Sequence, residues 1–205
     1  MKTALSPRKS PRQARSQATV EAILDAAARV LIERGYAATN TNLVAERAGV
    51  SVGSLYQYFP NKDALITALH DRHSRQMNKV IADAFERSTE LDFEGALTAI
   101  IEGLVESHRV EAGLHRVLET QLAGHEDLDD HAKADAAIND RIVELMHRYR
   151  DDINVPNPQL AAFTLMHSLH GLVHAVVLDL PNGLSLEQGT REIVRMGKAY
   201  LQAKG

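Results

Sequence analysis

Between Thr39 and Leu65 the chain reads TNTNLVAERAGVSVGSLYQYFPNKDAL, and this run constrains the fold more than any other. Val44, Ala45 and Ala48 mark the apolar side of a short helix, Gly49 supplies a left-handed end, and Ser51 is placed to cap the next helix. That next helix spans Val52 to Phe59. Leu55 and Phe59, four apart, share a buried face and leave Val52, Gly53, Ser54, Tyr56, Gln57 and Tyr58 on or near the other. Pro60 stops it, and Asn61 caps a third helix whose first turn holds Lys62. Two short helices across a tight turn, the second small at its start and aromatic at its end, suit a major groove, where a reading helix uses its first residues on base edges.

With those residues in register, Gly35 to Leu65 resembles the DNA-binding domain of the TetR family of bacterial transcriptional regulators. The shared pattern is G-Y-x-A-T followed by A-x-x-A-G-V-S-x-G-S-L-Y-x-Y-F-x-N-K-x-x-L. The resemblance implies that Thr41 and Asn42 reach a phosphate and a base, and that Val52, Gly53 and Ser54 lie against base edges with the capping Ser51 beside them. It implies that Tyr56, Gln57, Tyr58 and Lys62 hold the sugar-phosphate backbone. The family commonly has Val or Ile where Thr41 stands and a polar residue where Leu43 stands. Either Thr41 is partly buried here or Leu43 packs on the body.

The formal net charge of -4 argues against a nucleic-acid binder until it is divided along the chain. Residues 1–60 carry eight Lys and Arg against four Asp and Glu, hence +4, so the remainder carries -8. A basic head on an acidic body fits a phosphate-binding module joined to a regulatory or oligomerising domain. Ala and Leu are abundant and no stretch alternates β-branched residues, so an all-α fold is expected. Cysteine is absent, which excludes disulfides and thiolate metal sites. No signal segment is evident and no apolar run is read as membrane-spanning, so a soluble cytoplasmic protein with no membrane partner is expected.

The expected domains are a flexible basic arm over residues 1–17, a helix-turn-helix domain over 18–65, and a larger helical effector-binding and dimerisation domain over 66–205. In the arm all five charges are positive, and Arg12 and Arg15 suit either a minor groove or solvent. A first helix from Thr19 to Arg34 buries Ile23, Leu24, Ala27, Val30 and Leu31 and ends at Gly35. The helix from Lys62 carries an apolar stripe through Phe85, and the resemblance makes it the link between the two domains. A helix covers residues 92–110, Gly113 and Gly124 bracket a short one, Glu126 to Asp130 is a loop, and another helix carries Ile138 to Tyr149.

From Gln159 to Leu180 the chain is apolar on most of its circumference, and Leu186, Thr190, Ile193, Gly197 and Tyr200 form a seam of alternating steps on a last helix. These two helices are the candidates for a homodimer four-helix bundle, with Phe163, His167, Gly171, His174, Ile193, Gly197 and Tyr200 as interface residues. His108, His115 and His170 are the candidate ligand-binding residues. The seam His167, His170 and His174 is open between dimer interface, pocket and metal site, and neither a metal nor a cofactor is assigned. No nucleophile elbow, HExxH or phosphate loop occurs, so no enzyme is expected. The expected protein is a ligand-responsive regulator, a repressor released from pseudo-palindromic double-stranded operator DNA by a small-molecule effector. The rival is a helical small-molecule or metal sensor that does not read DNA.

Overall fold

The computed structural model describes residues 14–121 and 128–203, without the side chains of 14, 15, 121 and 128–135. Residues 1–13 of the expected arm, Gly124 and Glu126 lie outside them. All regular elements among the described residues are helices: α1 (Ala14–Ala38), α2 (Thr41–Ala48), α3 (Val52–Tyr58), α4 (Lys62–Ser88), α5 (Phe93–Arg109), α6 (Ala112–Gln121), α7 (Leu128–Arg148), α8 (Pro158–Leu178) and α9 (Leu186–Gln202). Two boundaries differ from expectation. Helix α1 already runs from Ala14, so the end of the presumed arm is helical, and α7 takes in the second half of the acidic stretch.

The helix ends follow from short-range chemistry. Asn40, Ser51, Asp92, Asn157 and Ser185 each cap a helix by accepting the backbone N–H three residues on, and Ser185 with Gln188 closes a full capping box. Each such cap stabilises by about 1 kcal/mol. Gly35 (φ 70) breaks α1 and Gly49 (φ 68) ends α2, both in the left-handed region that a side chain disfavours.

The chain divides into two compact units. The first runs to Arg75 and takes in the segment from Gly113 to Glu126; the second holds Gln76–Ala112 and the chain from Asp127 onward. The break therefore does not fall at 65/66. Leu65, Ile66 and Leu69 of α4 are buried in one core with Ile23, Val30 and Leu31 of α1, and Leu114 and Leu118 of α6 complete it. Arg72 adds a polar tie, its Nη1 lying 2.6 Å from Asp25 and 3.2 Å from Glu21 on α1.

In the second unit Ile101 and Val105 of α5, Met146 of α7, Leu165, Leu169 and Val173 of α8, and Ile193 and Leu201 of α9 form the core. Two glycines are there for size. A Cβ on Gly103 would stand 2.2 Å from that of Ala84, and one on Gly189 would stand 2.6 Å from Val176. Contrary to expectation, one helix, α8, is long and apolar enough to span a membrane by length and composition alone. Its Ala162, Leu165, Leu169 and Val173 are instead buried in this core.

Candidate nucleic-acid interface

Helix α3 is held from below and open above. Leu55 and Phe59 are fully buried in the first unit, fixing which side turns outward. Ser51, Val52, Gly53, Tyr56 and Gln57 are exposed there, Ser54 is half-buried, and Asn42 of α2 is exposed as well. Ser51 Oγ accepts from the Ser54 N–H at 3.0 Å and lies 2.8 Å from Ser54 Oγ, so the first turn is closed by its own side chains.

Gly53 has no internal reason to be glycine. Its φ is not positive, and a Cβ there would meet only Ser51 Oγ at 3.9 Å. A glycine inside a helix gives up about 1 kcal/mol relative to alanine. Open space over a helix start suits the approach of something outside the chain.

Three residues expected to contact DNA are engaged internally. Thr41 is 8% exposed, and its hydroxyl lies 2.9 Å from that of Tyr56. With so little of it exposed, Thr41 stands inside the domain and not on its surface, and the neighbouring Leu43 also packs against the core. Both alternatives posed by the departure at 41 and 43 therefore hold. Tyr58 is 9% exposed with its hydroxyl 3.0 Å from Ser16 on α1, so this ring ties α3 to α1 rather than facing out. Lys62 donates to the Tyr36 carbonyl at 3.0 Å, with its Nζ 3.9 Å from the Tyr36 ring centre.

Residues not singled out for this role support the face. Tyr36 donates to Asp63 at 2.5 Å, and burial together with that carboxylate pushes its phenol up to about 12. Arg47 of α2 bridges Glu33 of α1 at 2.6 Å. Ser16 and Tyr58 are 42 positions apart, and no local pattern announces such a partner.

The candidate ligand histidines do not form one set. His115 belongs to the first unit, buried with its Nδ1 3.2 Å from His73 Nε2. In the second unit His108 and His170 meet edge to face, with ring centres 5.3 Å apart. Burial holds His108 down at about 4, although its Nδ1 bonds the Leu104 carbonyl at 2.9 Å; His170 and His174 add smaller depressions. Among the described residues no three His, Asp or Glu stand so as to hold a metal ion. A groove of about 670 Å³ between α5 and α9 has Val105 and Val194 on its floor and Glu102, Glu106, Arg191 and Arg195 on its walls, and touches neither His108 nor His170.

The expected dimer residues divide as well. Phe163, His167, Gly171 and Tyr200 are exposed and His174 is half-buried, whereas Ile193 and Gly197 are buried within their own chain. A Cβ on Gly197 would lie 3.6 Å from both Leu97 and Ile101, so the α9 seam packs against α5. Its spacing shows that a seam exists but not which helix fills it.

Comparison with known proteins gives two family matches. Residues 23–69 match the bacterial regulatory proteins of the tetR family, and residues 92–201 match the tetracyclin repressor-like C-terminal domain. An uncharacterized HTH-type transcriptional regulator of Bacillus subtilis, YvkB, is 40% identical over 63 residues, 31% of this chain and 33% of that protein. The chain spans about a third to a half of the length of the curated relatives it matches. Among solved structures, the fatty acid degradation regulator FadR from Bacillus halodurans superposes with a TM-score of 0.69 at 19% identity, covering 96% of this chain and 100% of that one. SmeT, the repressor of a Stenotrophomonas maltophilia multidrug efflux pump, superposes in its triclosan complex with a TM-score of 0.67 at 24% identity, covering 92% and 94%.

Proposed function

Because the chain belongs to the TetR family of bacterial regulatory proteins, we propose that it is a homodimeric, ligand-responsive transcriptional repressor that reads pseudo-palindromic operator DNA through α3. The observation that carries this reading is the outward side of α3, where Val52, Gly53 and Gln57 are exposed over a buried Leu55 and Phe59. Its occupant is a duplex groove, with Asn42 reaching in from α2 and the Tyr56 phenol on a phosphate. Two such helices about 34–36 Å apart, or somewhat more, engage successive major grooves.

The second copy covers the exposed side of α8 and α9, where Leu160, Phe163, Leu172, Met196 and Tyr200 stay accessible. Gly171 supports this placement, since it sits inside a helix with nothing within 4 Å of its Cβ position. An effector bound in the second unit near His108 and His170 favours a conformer in which the readers lose the groove spacing. Coupling of that kind is worth roughly 5- to 150-fold in operator affinity. The triclosan complex of SmeT shows that a protein of similar fold takes up a small molecule. No catalytic role is assigned, and the chain works in the cytoplasm.

The test is selection of bound fragments from genomic DNA, followed by titration of a recovered fragment at several salt concentrations. A shared inverted-repeat sequence, with affinity falling steeply as salt rises, is the expected result. Recovery of unrelated fragments, or affinity indifferent to salt, overturns the proposal.

A further inference from the structure

We infer that Thr41 is a positioning residue for DNA binding, which holds the Tyr56 phenol at the angle from which it donates to a phosphate. The inference rests on the DNA-binding reading of α3 and adds to it the residue behind that contact.

Thr41 is the first residue of α2 and Tyr56 lies in the middle of α3, so their hydroxyl pair spans the turn between the two helices. The oxygens stand 2.9 Å apart. Thr41 is 8% exposed and Tyr56 is 40% exposed, so one end of the pair is anchored in the domain and the other opens to the outside.

A pair of hydroxyls holds two protons and spends only one on the bond between them. When a phosphate oxygen comes within reach, the phenol O–H donates a hydrogen bond to the anion. The threonine O–H then donates to the phenol oxygen. Each donor in such a chain polarises the next, so the outer bond is stronger than that of an isolated phenol. The inner bond also selects one ring position before DNA arrives, which lowers the ordering loss on binding.

On either side of Tyr56 in the chain, Leu55 is buried and Gln57 is exposed. The Thr41 hydroxyl, 2.9 Å from the phenol oxygen, is placed to orient this ring. Helix α3 is also held by Leu55 and Phe59 at 0% and 1% exposure, so removing the Thr41 hydroxyl should leave the helix seated in the domain.

The experiment compares Thr41→Val, Thr41→Ser, Tyr56→Phe and the Thr41→Val/Tyr56→Phe double variant with the unmodified chain. Each full-length dimer is titrated with a recovered operator fragment at several salt concentrations, and its thermal midpoint is measured without DNA. Valine keeps the branched shape and removes only the hydroxyl. Thr41→Val and Tyr56→Phe should each weaken binding by roughly three- to tenfold, the worth of one hydrogen bond. The double variant should bind no worse than Tyr56→Phe, and Thr41→Ser should bind like the unmodified chain. The salt slope should stay constant throughout, because a neutral hydroxyl releases no counterion.

Full binding by Thr41→Val overturns the inference, as does full binding by Tyr56→Phe. An equal loss from Thr41→Val in the Tyr56→Phe background also overturns it, since the effect would then run through something other than the phenol. If Thr41→Val lowers the thermal midpoint, the serine variant and the Tyr56→Phe measurement still decide the matter. An unmodified chain that holds no duplex removes the DNA-binding reading itself, whereas the failures above remove only the role of Thr41.

Discussion

The outward side of α3 and the outward side of α8 each contain a glycine with room above it, and the chemistry around the two is opposite. Around Gly53 stand Ser51, Tyr56 and Gln57, groups that form hydrogen bonds. Along the exposed side of α8 that holds Gly171 stand Phe163, His167 and Leu172, with Ser168 and His170 among them. The first side lies within the basic head of the chain, residues 1–60 with a balance of +4, and suits a polyanion whose capture weakens with salt; the second suits another apolar helix whose docking resists salt. One small protein thus presents two surfaces whose occupants respond to ionic strength differently.

The sharpest way to break this contrast is to place a charge on the apolar side. Leu172 is 37% exposed, and Leu172→Glu in a two-fold dimer introduces two carboxylates at one seam. Dissociation should increase on the order of a thousandfold, since a desolvated unpaired charge costs several kcal/mol. Sedimentation at micromolar concentration should find monomers at low and high salt alike, with helicity retained. A dimer that survives unchanged would mean that this side of α8 is not the seam.

A second measurement tests the core behind α8. His108 is buried beside His170 and holds a folded value of about 4 against an ordinary 6.5. Above pH 6.5 both folded and unfolded chains carry it neutral, and its contribution is fully present. As pH falls below that value only the unfolded chain takes the proton, so stability declines until about pH 4, by up to about 3 kcal/mol. His170 and His174 also depress the His108 value, by less than burial does. Urea unfolding at pH 7.5 and at pH 5 should reveal the decline, and His108→Leu should flatten it. An unchanged slope in the variant would assign the decline to other groups.

The two sides also differ in how far the sequence discloses them. Helix α3 was legible because its determinants are local: the Ser51 cap, the Gly49 turn and the four-residue spacing of Leu55 and Phe59 lie within eleven positions. What surrounds it was less legible. Tyr58 was expected outside, but its hydroxyl finds Ser16 from 42 positions away. Thr41 has the sequence position of a contact, and only the three-dimensional fold pairs its hydroxyl with that of Tyr56. On the other side, the steps of four and three along α9 run through Ile193 and Gly197, which are buried within their own chain, and through Tyr200, which stays exposed. Helix α6 contributes Leu114 and Leu118 to the first unit, although its periodicity names no destination. Period fixes which residues share a face; the identity of the opposing surface comes from contacts far apart in the chain.

The smallest expected effect is the most discriminating, because it changes two measurements in opposite directions. Gly53→Ala adds one methyl to α3 where only Ser51 Oγ lies within 4 Å. Without DNA the variant should be more stable by about 0.5–1 kcal/mol, since alanine favours the helix and nothing is crowded. With DNA the same methyl enters the space over the helix start, and operator affinity should fall roughly tenfold, about 1.4 kcal/mol. A thermal midpoint that rises while affinity falls assigns the space over Gly53 to the duplex. If affinity is unchanged, the backbone of α3 does not approach the bases at this position, and the reading contacts shift toward Gln57 and Asn42.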